Sequence, residues 1–135
     1  MDIQIMDASA LTAYLRNEPG RDVVLGMITD DNNQCLVHAI NFCEVYYDAL
    51  RVRGQEVAEA ETLALQQLGV TVRTDMEPAF WQRVGQLKVK PGKVSLADCF
   101  ALALALETGG TLVTSDHHEF DAVARLGLCP FTFIR

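Results

Sequence analysis

No two of the four cysteines, Cys35, Cys43, Cys99 and Cys129, stand at a Cys-x-x-Cys spacing, so neither a thiolate zinc site nor a dithiol redox motif is written into the chain. All four lie in apolar segments and read as reduced core residues. Long apolar runs are missing as well. The most apolar stretch, Leu96 to Leu106, is too short to span a bilayer and contains Asp98. The opening Met1-Asp2-Ile3-Gln4 lacks the basic and apolar regions of a secretory signal, and the expectation is a soluble, cytoplasmic protein without a membrane segment. Internal repeats and low-complexity segments are absent, and no Ser-His-Asp or Cys-His arrangement can be assembled.

Basic charge is also scarce. Eleven Lys and Arg against 18 Asp and Glu give a net charge of −7, which argues against a broad phosphate-binding footprint. Its distribution softens that reading, because the segment from Arg51 to Lys93 carries seven basic and five acidic residues. Lys88, Lys90 and Lys93 cluster around Pro91-Gly92. A solvated linker is the plainer explanation, and Lys90 and Lys93 are the candidate substrate contacts.

What the chain does have is apolar content: half of its 135 residues, enough for one domain over 1–135 with a core that needs no disulfide or structural metal. Short β-type runs at Ile3–Met6, Cys35–His38, Val70–Arg73, Leu112–Thr114 and Phe131–Ile134 alternate with helix-like segments. The spacing predicts helices over Ala8–Arg16, Val23–Ile28, from an Asn41 cap to Gly54, Glu56–Leu68, Met76–Leu87, from Ser95 to Gly109, and from Asp116 to about Leu126. Such alternation implies an α/β fold, a three-layer α/β/α arrangement around a mainly parallel sheet of about five strands.

The organising element is the stretch Val94–Gly110. Between Leu96 and Leu106 its only charged side chain is Asp98, on a helix that reads as buried on most sides. Ser95 as N-cap would place Asp98 at the third helical position, where a carboxylate can reach back to the cap and favour the helix dipole. Asp7 and Asp116 follow strands, and Glu44 stands three residues after Asn41 in a first turn. Capping explains each acid singly. In a parallel sheet, however, strand carboxyl ends and the first turns of the returning helices share one edge, where ligands bind. Four acids meeting there without basic partners repel by about 4 kcal/mol per pair at 4 Å and an effective dielectric near 20, so some must protonate or hold a cation. Oxygen ligands around an open cleft suit Mg²⁺ or Mn²⁺.

The succession Met6-Asp7-Ala8-Ser9, Asn41-Phe42-Cys43-Glu44, Ser95-Leu96-Ala97-Asp98-Cys99 and Thr114-Ser115-Asp116 resembles the PIN-domain family, in particular its VapC-type toxins, over essentially the whole chain. The resemblance implies a PIN-like fold and a metal-dependent endoribonuclease. Asp7, Asp98 and Asp116 would be metal ligands, with Glu44 orienting the nucleophile or joining them. Ser9, Thr114 and Ser115 would be supporting donors, as would Asp121 as a further acid, although turn and cap roles explain the three hydroxyl residues equally well. His117 and His118 read as solvated first-turn residues. The resemblance further implies an RNA substrate, a small antitoxin partner and a homodimer. The alternative is an inactive PIN-like domain that binds RNA or protein without cutting. A receiver-type phosphoacceptor module is disfavoured, since it would want a Lys after a late strand and only Arg125 and Arg135 stand there.

Overall fold

The computed structural model describes residues 1–135. Five strands, β1 (Asp2–Met6), β2 (Asn33–His38), β3 (Val70–Arg73), β4 (Thr111–Thr114) and β5 (Phe131–Phe133), form one sheet in the order β3-β2-β1-β4-β5. Every pairing is parallel. The expected sheet is therefore present, and it is wholly parallel rather than mainly so. Seven helices cover it: α1 (Ala8–Leu15), α2 (Arg21–Thr29), α3 (Ala39–Arg53), α4 (Gln55–Leu68), α5 (Pro78–Val89), α6 (Leu96–Thr108) and α7 (His117–Ala124).

Side-chain alternation along the strands sorts the core into two halves. Ile5, Leu36 and Leu112 join Phe80, Val84, Leu87, Phe120 and the buried face of α6 in one cluster. Their neighbours Met6, Cys35, Val37 and Val113 join Leu11, Val24, Val45 and Leu65 in the other. Helices α1 to α4 thus lie on one face and α5 to α7 on the other, the outcome of right-handed crossovers that reverse direction after β3. The reversal opens a crevice between the carboxyl ends of β1 and β4. Helix α6 is the most enclosed: Cys99 to Ala105 are all buried, as its run of Leu, Ala and Phe requires.

Two glycines seat β4 against β1. Gly109 takes φ +70° at the α6 C-cap, a conformation that L side chains rarely adopt. At Gly110 an added Cβ would lie 2.9 Å from Ile3 Cγ2 and 3.0 Å from the Ile3 carbonyl oxygen, so only glycine lets the two strands approach this closely.

Three local expectations are corrected. Helix α3 begins before Asn41, and its N-cap is His38, whose Nδ1 accepts from the Ile40 N–H at 3.1 Å. The ring proton then sits on Nε2, which donates to the Asp75 carbonyl at 2.9 Å. Asn41 is instead buried inside the first turn, and Glu44 falls beyond it. Lys88 belongs to α5 rather than to a linker, and its ammonium donates to the Val94 carbonyl at 2.8 Å. Among the cysteines, Cys35 and Cys99 are buried but Cys43 is exposed on α3, because it faces away from the Asn41, Val45 and Ala49 side. No helix is long and apolar enough to cross a membrane.

Candidate functional site

Asp7 ends β1 and caps α1: its Oδ1 accepts from the Ala10 N–H at 2.9 Å and from the Ser9 hydroxyl at 2.7 Å. Only 1 % of the residue is exposed. Burial pushes its carboxyl up from the ordinary 3.8 to about 6, against the lowering effect of hydrogen bonds from Thr114, Ala10 and Ser9, with Asp116's charge adding to the rise. Ser9 also accepts the Ser115 N–H at 3.0 Å and lies 3.2 Å from the Thr114 hydroxyl, which in turn accepts the Asp116 N–H at 3.0 Å. The supporting hydroxyls thus stitch the end of β1 to the end of β4. Ser115 takes part through its backbone, not its side chain.

Asp116 is the N-cap of α7, its Oδ1 accepting the Glu119 N–H at 2.9 Å. The cap reading and the site reading do not exclude each other at Asp7 and Asp116, because the cap engages Oδ1 and leaves Oδ2 outside it. Asp98 differs. Ser95 caps α6 by accepting the Asp98 N–H at 3.1 Å, but the return bond of a capping box is missing. The Ser95 N–H donates instead to Glu119 Oε1 at 3.1 Å. Glu119 reaches across from α7 and takes the Ser95 N–H that Asp98 would have capped, leaving the Asp98 carboxyl only a side-chain hydrogen bond with Ser95.

No cation compensates these acids. The six ion pairs join Arg16 and Arg51 to Asp48, Arg53 to Glu61, Arg73 to Asp75, His117 to Asp121 and Arg135 to Glu18, and none includes Asp7, Glu44, Asp98, Asp116 or Glu119. Burial first, then the charges of Asp7 and Glu119 and, least, of Glu44, push Asp98 up from 3.8 to about 8 against the lowering effect of a hydrogen bond with Ser95. Burial also raises Glu44, although the residue keeps an exposed surface and its Asn41 hydrogen bond opposes the rise. The charges of Asp7, Glu119 and Glu44 thus reach Asp98, and that of Asp116 reaches Asp7, at the carboxyl edge of the sheet. Burial and like charge together favour the protonated form of Asp98 and Asp7 over that of an ordinary carboxyl.

The donor set consists of carboxylate and hydroxyl oxygens, the chemistry that suits a hard divalent cation and not a soft one. As they stand, no three of these side chains close around a single point as a finished cage.

Sequence reasoning placed Asp121 in the site and did not single out Glu119. The structure turns Asp121 away, 2.7 Å from His117 Nδ1, while His117 Nε2 donates to the Arg135 carbonyl at 2.7 Å and the ring stacks on Phe133 at 4.3 Å. These two acceptors raise the His117 pKa. The pair forms a clasp on the chain's last residues, and Glu119 is the added acid whose charge reaches Asp98. Lys93 and His118 share with Glu119 a cavity of about 300 Å³, next to the acidic edge. Lys90 lines a separate, apolar depression with Leu87, Pro91, Leu126 and Leu128.

A parallel sheet with acids gathered at the carboxyl edge of its topological switch point defines a class of α/β domains with an acidic site there. The PIN domain family model matches residues 5–126, and the chain belongs to that family. Its fold is similar to the DNA-bound VapBC structure from Salmonella typhimurium, with a TM-score of 0.75 at 17 % identity over 100 % of both chains. VapBC-1 from nontypeable Haemophilus influenzae gives 0.73 at 17 % identity over 98 % of each chain. VapC20 of Mycobacterium tuberculosis, a Sarcin-Ricin loop cleaving toxin, gives 0.70 at 12 % identity over 88 % of this chain and 94 % of that one. A search of the curated proteins finds no match.

Proposed function

We propose that this PIN domain is a Mg²⁺- or Mn²⁺-dependent endoribonuclease, the toxin of a VapBC-type pair, acting in the cytoplasm as a homodimer held by a small antitoxin. The observation that carries the reading is the uncompensated acidic crevice, with Asp7 raised to about 6 and Asp98 to about 8. Raised carboxyls with no basic neighbour are what a cation site looks like before the cation neutralises it.

Asp7 and Asp98 hold the ion in this reading, Asp116 joins directly or through water, and Glu44 orients the attacking water. A divalent cation supplies charge stabilisation at the phosphate and a more acidic bound water. Ser9 and Thr114 keep Asp7 in place. Lys93, exposed beside Glu119, offers the incoming phosphate backbone a positive contact, and Lys90 lies further out. Support for a protein partner comes from apolar surface left open in the single chain, with Tyr47 60 % and Trp81 47 % exposed while Tyr46 is half-buried. The relatives named above include VapBC complexes, which supports the same kind of partner here.

The other reading is a domain that binds RNA or protein without cutting. One assay separates the two. Purified protein incubated with a panel of structured RNAs is expected to cut in Mg²⁺ or Mn²⁺ and to stop in excess chelator, with an Asp7→Asn preparation as the control for contaminating nucleases. Cleavage that persists in chelator contradicts the metal mechanism, and retention of RNA with no cleavage in any metal favours the binding module.

A further inference from the structure

Of the buried residues on α3, Asn41, Val45 and Ala49, only Asn41 is polar, and none of its surface is exposed. Its Nδ2 donates to the Ala97 carbonyl at 2.9 Å and reaches Glu44 Oε1 at 3.5 Å. Both neighbours are acceptors, which fixes the amide's orientation: a flip would set oxygen against oxygen twice. Oδ1 is consequently left buried without a partner. A buried, unpaired acceptor is a cost that an apolar side chain of similar size would avoid. Stability alone therefore does not explain an amide here, and its benefit lies in what the nitrogen ties together.

The tie joins two parts of the acidic crevice that come from opposite faces of the sheet. Glu44 stands one turn beyond Asn41 on the same side of α3. Ala97 immediately precedes Asp98 in the first turn of α6. We infer that Asn41 is a positioning residue, its amide holding Glu44 against the head of α6 and so setting the distance between the Glu44 and Asp98 carboxyls. The inference rests on reading those carboxyls as a cation site. Without the bridge both acids remain, but nothing ties Glu44 to the head of α6, and like charges drive the two carboxylates apart.

Asn41→Leu, close in volume and without an orphaned oxygen, tests this, with Asn41→Ala as the second variant should the leucine fail to fold. Two readouts matter: the melting point in chelator and Mn²⁺ affinity by titration calorimetry. The variant is expected to melt within a few degrees of the wild type or above it, to bind Mn²⁺ about 10-fold more weakly, and to cut RNA about 10- to 100-fold more slowly, the range seen when supports of a metal site are lost. In a Glu44→Gln background the same substitution is expected to change Mn²⁺ affinity less than about 2-fold, since the bridge then has no carboxylate to hold. A lower melting point with Mn²⁺ affinity unchanged makes Asn41 merely structural and overturns the inference alone. A wild-type protein that binds no Mn²⁺ overturns the cation-site reading and this inference with it.

Discussion

Replacing Asp98 with Asn is expected to stabilise the metal-free protein while removing its nuclease activity. At pH 7 an unfolded chain carries Asp98 ionised, whereas the folded chain must either take up a proton or keep a charge beside Asp7, Glu119 and Glu44. Asn meets neither cost. Discounted for the partial exposure of the residue, the gain is on the order of 1–3 kcal/mol, or a rise of about 3–10 °C in melting temperature for a domain of this size. The opposing loss, a helix-dipole interaction of about 0.3–1 kcal/mol, applies only while Asp98 is ionised. The Ser95 cap survives, because Glu119 and the Asp98 backbone make its bonds. Activity is expected to fall at least about 100-fold, given that lost supports of a metal ligand already cost about 10- to 100-fold. Melts in chelator at pH 7 and pH 4 check the stability claim. The gain should shrink at pH 4, where both forms of the chain hold the proton more nearly alike. A mutant less stable than wild type at pH 7 would return Asp98 to a plain helix-dipole role.

The second large effect concerns pH. Metal-free protein is expected to lose stability as pH rises from about 4 to about 8, the reverse of ordinary acid denaturation. Asp7 and Asp98 bind their protons more tightly in the folded chain, with carboxyls near 6 and 8 against 3.8. Their contribution is complete below the unfolded value and is lost as pH passes through the folded one. Asp7 alone, fully buried, accounts for roughly 3 kcal/mol between pH 4 and 6. His117, raised by Arg135 and Asp121, acts in the same direction above its ordinary 6.5. Asp75 acts oppositely, since Arg73 lowers it, but its window lies below 3.8. Urea midpoints in chelator at pH 4.5, 6 and 8 read the slope. General repulsion from the acidic net charge also favours a fall, so Asp98→Asn serves as the control: it should flatten the upper half of the curve. A midpoint that stays level or climbs from pH 4.5 to 8 contradicts the raised carboxyls.

How far this site could be read from the chain depends on the range of the interactions involved. The positions of Asp7, Asp98 and Asp116 in the fold were legible because a strand end, an apolar helix and a strand-to-helix turn each leave a local signature. Once the sheet is parallel, its topology brings those three places to one edge. The alternation of short β-type runs with helix-like segments similarly announced a sheet covered on both faces. Glu119 was harder, since the pattern Asp116-x-x-Glu119 is a complete capping box on paper. Only the approach of α7 to the head of α6 diverts its carboxylate to Ser95. Asn41 failed for the same reason in reverse: a residue suited to capping was drawn inside α3 by an acceptor on another helix, and His38, an uncommon cap, took the end. Asp121 was assigned by its place in sequence, and the stacking of His117 on Phe133 turned it outward.

Calorimetric titration of Mn²⁺ into metal-stripped protein at pH 7, repeated in two buffers of different ionisation enthalpy, tests most directly whether the crevice is a cation site. The wild type is expected to bind and to release about one proton as Asp98 gives up the one it holds, with Asp98→Asn binding at least about 10-fold more weakly and releasing none. No binding by the wild type at millimolar Mn²⁺, or the same affinity and proton count in both proteins, would contradict it.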